Sequence, residues 1–129
     1  MDNGNNVSYI VALLINRRVY RGKNEIVEAR EYIERQWLNP FDMSETAKAV
    51  GLSKTHFIRH FKKHTGMTPH EYYTNFKINK VKEKLLDPDL SISQAFAVCG
   101  ADYNGYLARV FKKKVGATPS QYLNSSTQK

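Results

Sequence analysis

The chain has 129 residues, 41% of them hydrophobic, with 20 Lys+Arg against 12 Asp+Glu for a formal charge of +8. That length holds one ordinary domain or two very small subdomains on a connector, and the basic excess points to a polyanionic partner, nucleic acid ahead of an anionic membrane. The single cysteine, Cys99, excludes an internal disulfide and gives no sign of an oxidising compartment, so the cytoplasm is the expected location.

Residues 1–22 read as a linker or short N-terminal segment. Their apolar run, Tyr9 to Ile15, is far short of the ~20 residues of a membrane span, and Asp2 and an Asn-rich stretch precede it where a signal peptide has a basic start. Neither insertion nor secretion is indicated. Asn24 is placed to cap a first helix whose Ile26, Ala29, Ile33 and Trp37 share a face, ending before Asn39-Pro40. Asp42 with Glu45 has the capping-box pattern and opens a short helix that stops at Gly51. Ser53 caps the next, which runs to Gly66. Thr68-Pro69-His70-Glu71 combines an N-cap, Pro at the first helical position and a carboxylate near the start, predicting a long helix to about Leu86. The punctuation then recurs with Ser91 and Gln94, Gly100, Asp102 or Asn104 as a cap, Gly116, and Thr118-Pro119-Ser120-Gln121.

No segment alternates with the period of two of a half-buried strand. The fold class is therefore all-α, with seven helices: two helix-turn-helix subdomains joined by a long connector helix. The expected boundaries are one domain over 23–124, divided into a first subdomain 24–68, the connector 69–87 and a second subdomain 90–124, with a tail over 125–129. The connector's apolar residues fall into two clusters, Tyr72, Tyr73 and Phe76, then Ile78, Val81 and Leu85.

An internal repeat supports the duplication. His56–Tyr73 laid over Tyr106–Leu123 matches Arg59 with Arg109, Phe61 with Phe111, Lys62 and Lys63 with Lys112 and Lys113, Gly66 with Gly116, Thr68-Pro69 with Thr118-Pro119, and Tyr72 with Tyr122. Upstream, Gly51 pairs with Gly100, so the second copy carries one extra residue in or just after its turn.

A short helix, a turn containing Gly51 and Leu52 and a second helix opening at Ser53 is the arrangement that braces one helix in a major groove. In that second helix Phe57 and Phe61 must face the core, which turns Lys54, Thr55, Ile58, Arg59 and Lys62 outward, with Lys63 near the end. No Asp or Glu occurs from Gly51 through Pro69. A merely solvated face mixes signs, whereas one meeting phosphates and base edges wants Arg, Lys and small polar groups. In the second copy Tyr106, Leu107, Val110 and Phe111 are expected to pack inward. Asn104, Gly105, Ala108, Arg109 and Lys112 to Lys114 are then exposed.

The run Phe61-Lys62-Lys63, Gly66, Thr68-Pro69, Tyr72, then Ser91-Ile92, Gly100, Phe111-Lys112-Lys113, Gly116, Thr118-Pro119 and Tyr122 resembles the tandem signature of the AraC/XylS family of bacterial transcription regulators over residues 24–123. The resemblance implies two recognition helices, Lys54–His64 and Tyr103–Val115, entering successive major grooves on one face of promoter DNA. The expected DNA-binding residues are Ser53, Lys54, Thr55, Ile58, Arg59, Lys62 and Lys63, with Tyr103, Asn104, Gly105, Ala108, Arg109, Lys112 and Lys113. One chain is expected to suffice for one site, with RNA polymerase as a further partner if the protein is an activator. No cofactor, metal or membrane contact is implied. The sequence departs from the family pattern at Lys77, where the connector usually has Arg. It departs again at Ala95-Phe96 and Gly100-Ala101, where Phe96 is expected to fill the space left by Ala101.

Other readings weigh less. His56, His60 and His64 at i, i+4, i+8 have a metal-ligand spacing, but no Cys or carboxylate lies near them in sequence. Cys99 reads as a small buried hydrophobe, and Tyr72, Tyr73, Tyr106 and Tyr122 stand at core spacing. No phosphate loop, metal cluster or nucleophile motif marks an enzyme. A module for an acidic protein partner would explain the charge but not two matched helices.

Overall fold

The computed structural model describes residues 21–127, so the expected linker over 1–22 falls almost wholly outside the described residues, as does the end of the tail. Among the described residues there are seven helices and no strand: α1 (Arg21–Arg35), α2 (Met43–Ala49), α3 (Lys54–Thr65), α4 (Pro69–Leu85), α5 (Ile92–Val98), α6 (Tyr106–Val115) and α7 (Pro119–Thr127). They fall into two compact units. Among the described residues, one takes α1 as far as Ile33 together with Asp42–Pro69, and the other takes Glu34–Phe41 and the residues from His70 through α7.

Helix starts follow the side chains that satisfy the first free backbone N–H groups. The Asp42 carboxylate accepts the Glu45 N–H at 2.9 Å, and the Ser53 hydroxyl accepts the His56 N–H at 3.2 Å. Ser91 and Gln94 form a complete capping box, each side chain accepting from the other's backbone N–H. Thr118 and Gln121 do the same at the start of α7.

Two expected starts differ. Asn24 lies inside α1, which is already helical at Arg21. The helix of the second motif begins at Tyr106 and not at Tyr103, because the Asp102 carboxylate accepts the Asn104 N–H at 3.0 Å and closes a local turn, leaving Gly105 as the N-cap without a side-chain bond. Asx turns of this kind compete with helical backbone.

In the first unit the buried residues are Ile26, Ala29 and Ile33 of α1, Thr46, Ala47 and Val50 around α2, and Phe57 and Phe61 of α3. The rings of Phe57 and Phe61 meet edge to face with centroids 5.6 Å apart. The second unit's core holds Ile78, Val81 and Leu85 of α4, Ala95, Phe96 and Cys99, and Phe111 of α6. Phe96 is fully buried and Ala101 packs against the same cluster, as expected of a large residue filling a small one's space. Trp37 does not share the α1 face: it follows the helix end at Arg35, is half-buried and packs on this second core.

The residue standing for the family's Arg is buried. Lys77 Nζ donates to the Tyr73 hydroxyl at 3.0 Å, and that hydroxyl donates to the Asn39 carbonyl at 2.6 Å. A point charge is thus held by one hydroxyl where a guanidinium would fork. Tyr73 is buried, and Tyr72 and Tyr122 are half-buried, with Tyr72 donating to the Glu34 carboxylate. Tyr106 is the exception to core spacing. It is 60% exposed, while the residues of the helix that pack on the core are Leu107, Ala108, Val110, Phe111 and Val115.

Candidate nucleic-acid interface

In the first unit α2 packs directly on α3, across a turn in which Gly51 takes φ 74°, a left-handed geometry that glycine adopts without steric cost. The Ser53 cap fixes the first turn of α3. On its outer side Ser53, Lys54, Thr55, Arg59, Lys62 and Lys63 are exposed, while Ile58 is half-buried at the border of the core. Among the described residues no carboxylate pairs with Lys54, Arg59, Lys62 or Lys63. Unneutralised cations beside a short hydroxyl side chain match phosphate oxygens and base edges.

The three histidines of α3 form a ladder along one edge of that face. His56 and His60 have ring centroids 5.3 Å apart, and His60 and His64 are 4.6 Å apart, both edge to face. No group of three His, Cys, Asp or Glu able to hold a metal ion occurs among the described residues.

In the second unit α7 packs on α6. Between them lies a shallow groove of about 340 Å³, lined by Tyr103, Asn104, Gly105, Ala108, Arg109 and Lys112 on one side and Thr118 and Pro119 on the other. The groove thus gathers six of the seven residues expected of the second motif, and Lys113 stands apart from it, exposed on the helix. The six are not equally presented. Asn104, Arg109 and Lys112 are exposed, whereas Tyr103, Gly105 and Ala108 are half-buried. Tyr103 leans on the Phe96 ring with centroids 5.3 Å apart, and Ala108 packs on the core cluster.

Residue type alone turns Tyr106 inward, yet its spacing of three and seven from Arg109 and Lys113 already places it on their face. Cys99 is fully buried, and burial pushes its thiol up against the pull of Lys84 and Lys77, so it stays a neutral core group. No described helix is long and apolar enough to cross a membrane.

A family profile described as a helix-turn-helix domain matches residues 46–125. The chain is similar to the xylose operon regulatory protein of Escherichia coli (strain K12), 27% identical over 103 residues, which are 80% of this chain and 26% of that protein. It therefore spans about a quarter of that relative's length. Among solved structures it is similar to the C-terminal domain of AraT, a response regulator from Geobacillus stearothermophilus, at TM-score 0.71 and 25% identity, covering 78% of this chain and 84% of that one. It shares the fold of the DNA-binding domain of AdpA, a global transcriptional factor solved in complex with a target DNA, at TM-score 0.68 and 20% identity, covering 78% and 90% of the two chains. The three are described as an operon regulatory protein, a response regulator and a transcriptional factor. With the tandem motifs, the all-helical fold and a profile matching well over half its length, the chain belongs to the AraC/XylS family of helix-turn-helix proteins.

Proposed function

We propose that this chain is a sequence-specific transcription regulator that reads double-stranded promoter DNA with the outer faces of α3 and α6, each in a major groove. The observation that carries this reading is the pair of matched helices, each following a helix-turn-helix turn and each bearing exposed, unneutralised cations on the side away from its core. An acidic protein partner would need the charge but not the duplicated motif.

In this reading residues 24–68 and 90–124 are the two reading halves, with 69–87 as their connector. Ser53, Lys54, Thr55, Ile58 and Arg59, with Asn104, Gly105, Ala108 and Arg109, meet bases or the nearest phosphates. Lys62, Lys63, Lys112 and Lys113 run along the backbone, and Tyr103 acts from the groove's edge. One chain carries both readers, so a dimer is not required for one asymmetric site. A cytoplasmic protein of this kind meets RNA polymerase at the promoter if it activates.

The test is selection of bound sequences from a random DNA pool, followed by titration of the winner and of random DNA at several salt concentrations. A specific component should persist when nonspecific binding is lost, because backbone contacts weaken with salt and base contacts distinguish sequences. Equal affinity for both DNAs at every salt overturns the reading.

A further inference from the structure

The outer face of α6 carries a residue for which neither its core nor its charge accounts. Tyr106 opens the helix and is 60% exposed. Arg109 and Lys113 follow at three and seven residues, both exposed, so the phenol ring stands in line with two cations. A single exposed aromatic residue is ordinary on a protein surface. The position of this one is what carries weight. It occupies the first turn of the helix, the part that meets base edges when such a helix enters a groove. Its predecessor Gly105 has no side chain to hold the backbone away. Arg109, three residues on, also lines the groove between α6 and α7.

A flat apolar ring finds one apolar feature in the major groove, the C5-methyl group of thymine. We propose that Tyr106 is a specificity-determining residue of the second motif and that its ring packs on the methyl group of one thymine in the bound site. This rests on the DNA-reading function proposed above and names what one part of that surface reads. The ring makes the contact and the hydroxyl is dispensable. A hydroxyl bonded to phosphate would instead strengthen binding to every sequence alike.

The experiment measures dissociation constants at fixed salt for the full chain, Tyr106→Phe and Tyr106→Ala. The DNAs are the selected site, random DNA, and selected sites in which each thymine is replaced in turn by uracil, which lacks the methyl group. Because the residue is exposed, the variants should keep the parent's helix content and melting behaviour.

Tyr106→Ala should lose about tenfold on the selected site and little on random DNA. One uracil replacement should cost the parent and Tyr106→Phe about fourfold, the worth of one buried methyl group, and should cost Tyr106→Ala nothing further. If Tyr106→Phe falls as far as Tyr106→Ala on selected and random DNA alike, the contact is a phosphate hydrogen bond and the proposal is overturned. Parental affinity in Tyr106→Ala, with every uracil penalty unchanged, also overturns it while leaving the DNA-reading function intact. A parent chain that prefers no sequence removes both.

Discussion

In the first unit α3 opens on Ser53, whose hydroxyl holds the first turn, and exposes Lys54, Thr55 and Arg59 in sequence behind it. In the second, α6 opens on Gly105 with no side-chain cap, preceded by an Asx turn, and exposes Tyr106, Arg109 and a run of three lysines. Both helices end alike, on a glycine with φ near 80° whose N–H bonds back to a lysine carbonyl, and both are followed by Thr-Pro opening the next helix. The repeated residues are thus the scaffold: a buried Phe, a left-handed glycine, a Thr-Pro start. What differs is the presenting surface, and it differs most in the first turn, where a helix approaching DNA does its reading.

The largest effects should be equal between the units, because they fall on the shared scaffold. Phe61→Ala and Phe111→Ala each remove a ring with no exposed surface and should each destabilise by ~3–5 kcal/mol in urea unfolding followed by circular dichroism. A much smaller loss at Phe111 would show that the second core collapses around the cavity and would break the equivalence.

On DNA the units should separate. Arg59→Ala is expected to cost ~1–3 kcal/mol on the selected site and little on random DNA, whereas Lys63→Ala should weaken binding to all sequences and lower the salt slope by ~1. An equal loss on both DNAs for Arg59→Ala would make it a phosphate contact. A base-by-base scan of the site should show penalties spread across the half under α3. In the half under α6 they should be fewer, since Gly105 and Ala108 offer little to read and the binding there is expected to rest on backbone contacts from Lys112 to Lys114.

The smallest contrast lies at the caps. Ser53→Ala should cost ~1 kcal/mol, the usual loss of an N-cap hydroxyl. Gly105→Ser should stay within about 0.5 kcal/mol of the parent, because the new cap is offset by a Cβ that would stand 3.2 Å from the Asp102 carbonyl oxygen. Thermal melts of the two variants against the parent would check both, and a clear gain at Gly105 would mean that the Asx turn yields.

Most of this architecture is written in short-range punctuation. Asp42, Ser53, Ser91 and Thr118 cap as their spacing predicts, because a cap is settled within four residues. The start of the helix expected over Tyr103–Val115 is the reverse case: Asp102 can serve a helix or a turn, and it takes the turn where Tyr103 packs on Phe96, a contact distant enough in sequence to leave no local signal. Helical periodicity puts Trp37 on the α1 face, but it fails past Arg35, where the chain turns. The outer face of α3 was legible from two phenylalanines at i, i+4. That of α6 was half legible, since residue type draws Tyr106 inward while the stripe through Leu107 and Phe111 turns it out, and Ala108 stands at the border, touching the core cluster and lining the groove.

Gly51 and Gly100 occupy matching turns with matching φ values of 74° and 72° and are both exposed, yet their surroundings differ. A Cβ at Gly51 meets nothing within 4 Å, whereas one at Gly100 would come within 3.1 Å of the Leu38 carbonyl oxygen and 3.6 Å of Lys77 Nζ. Asparagine, which tolerates the left-handed region, is therefore an admissible replacement at the first position and not at the second. In a library of all single substitutions, Gly100 would record the intolerance of an interior residue although solvent reaches it. A surface position is here narrowed to glycine by a single backbone carbonyl from another segment.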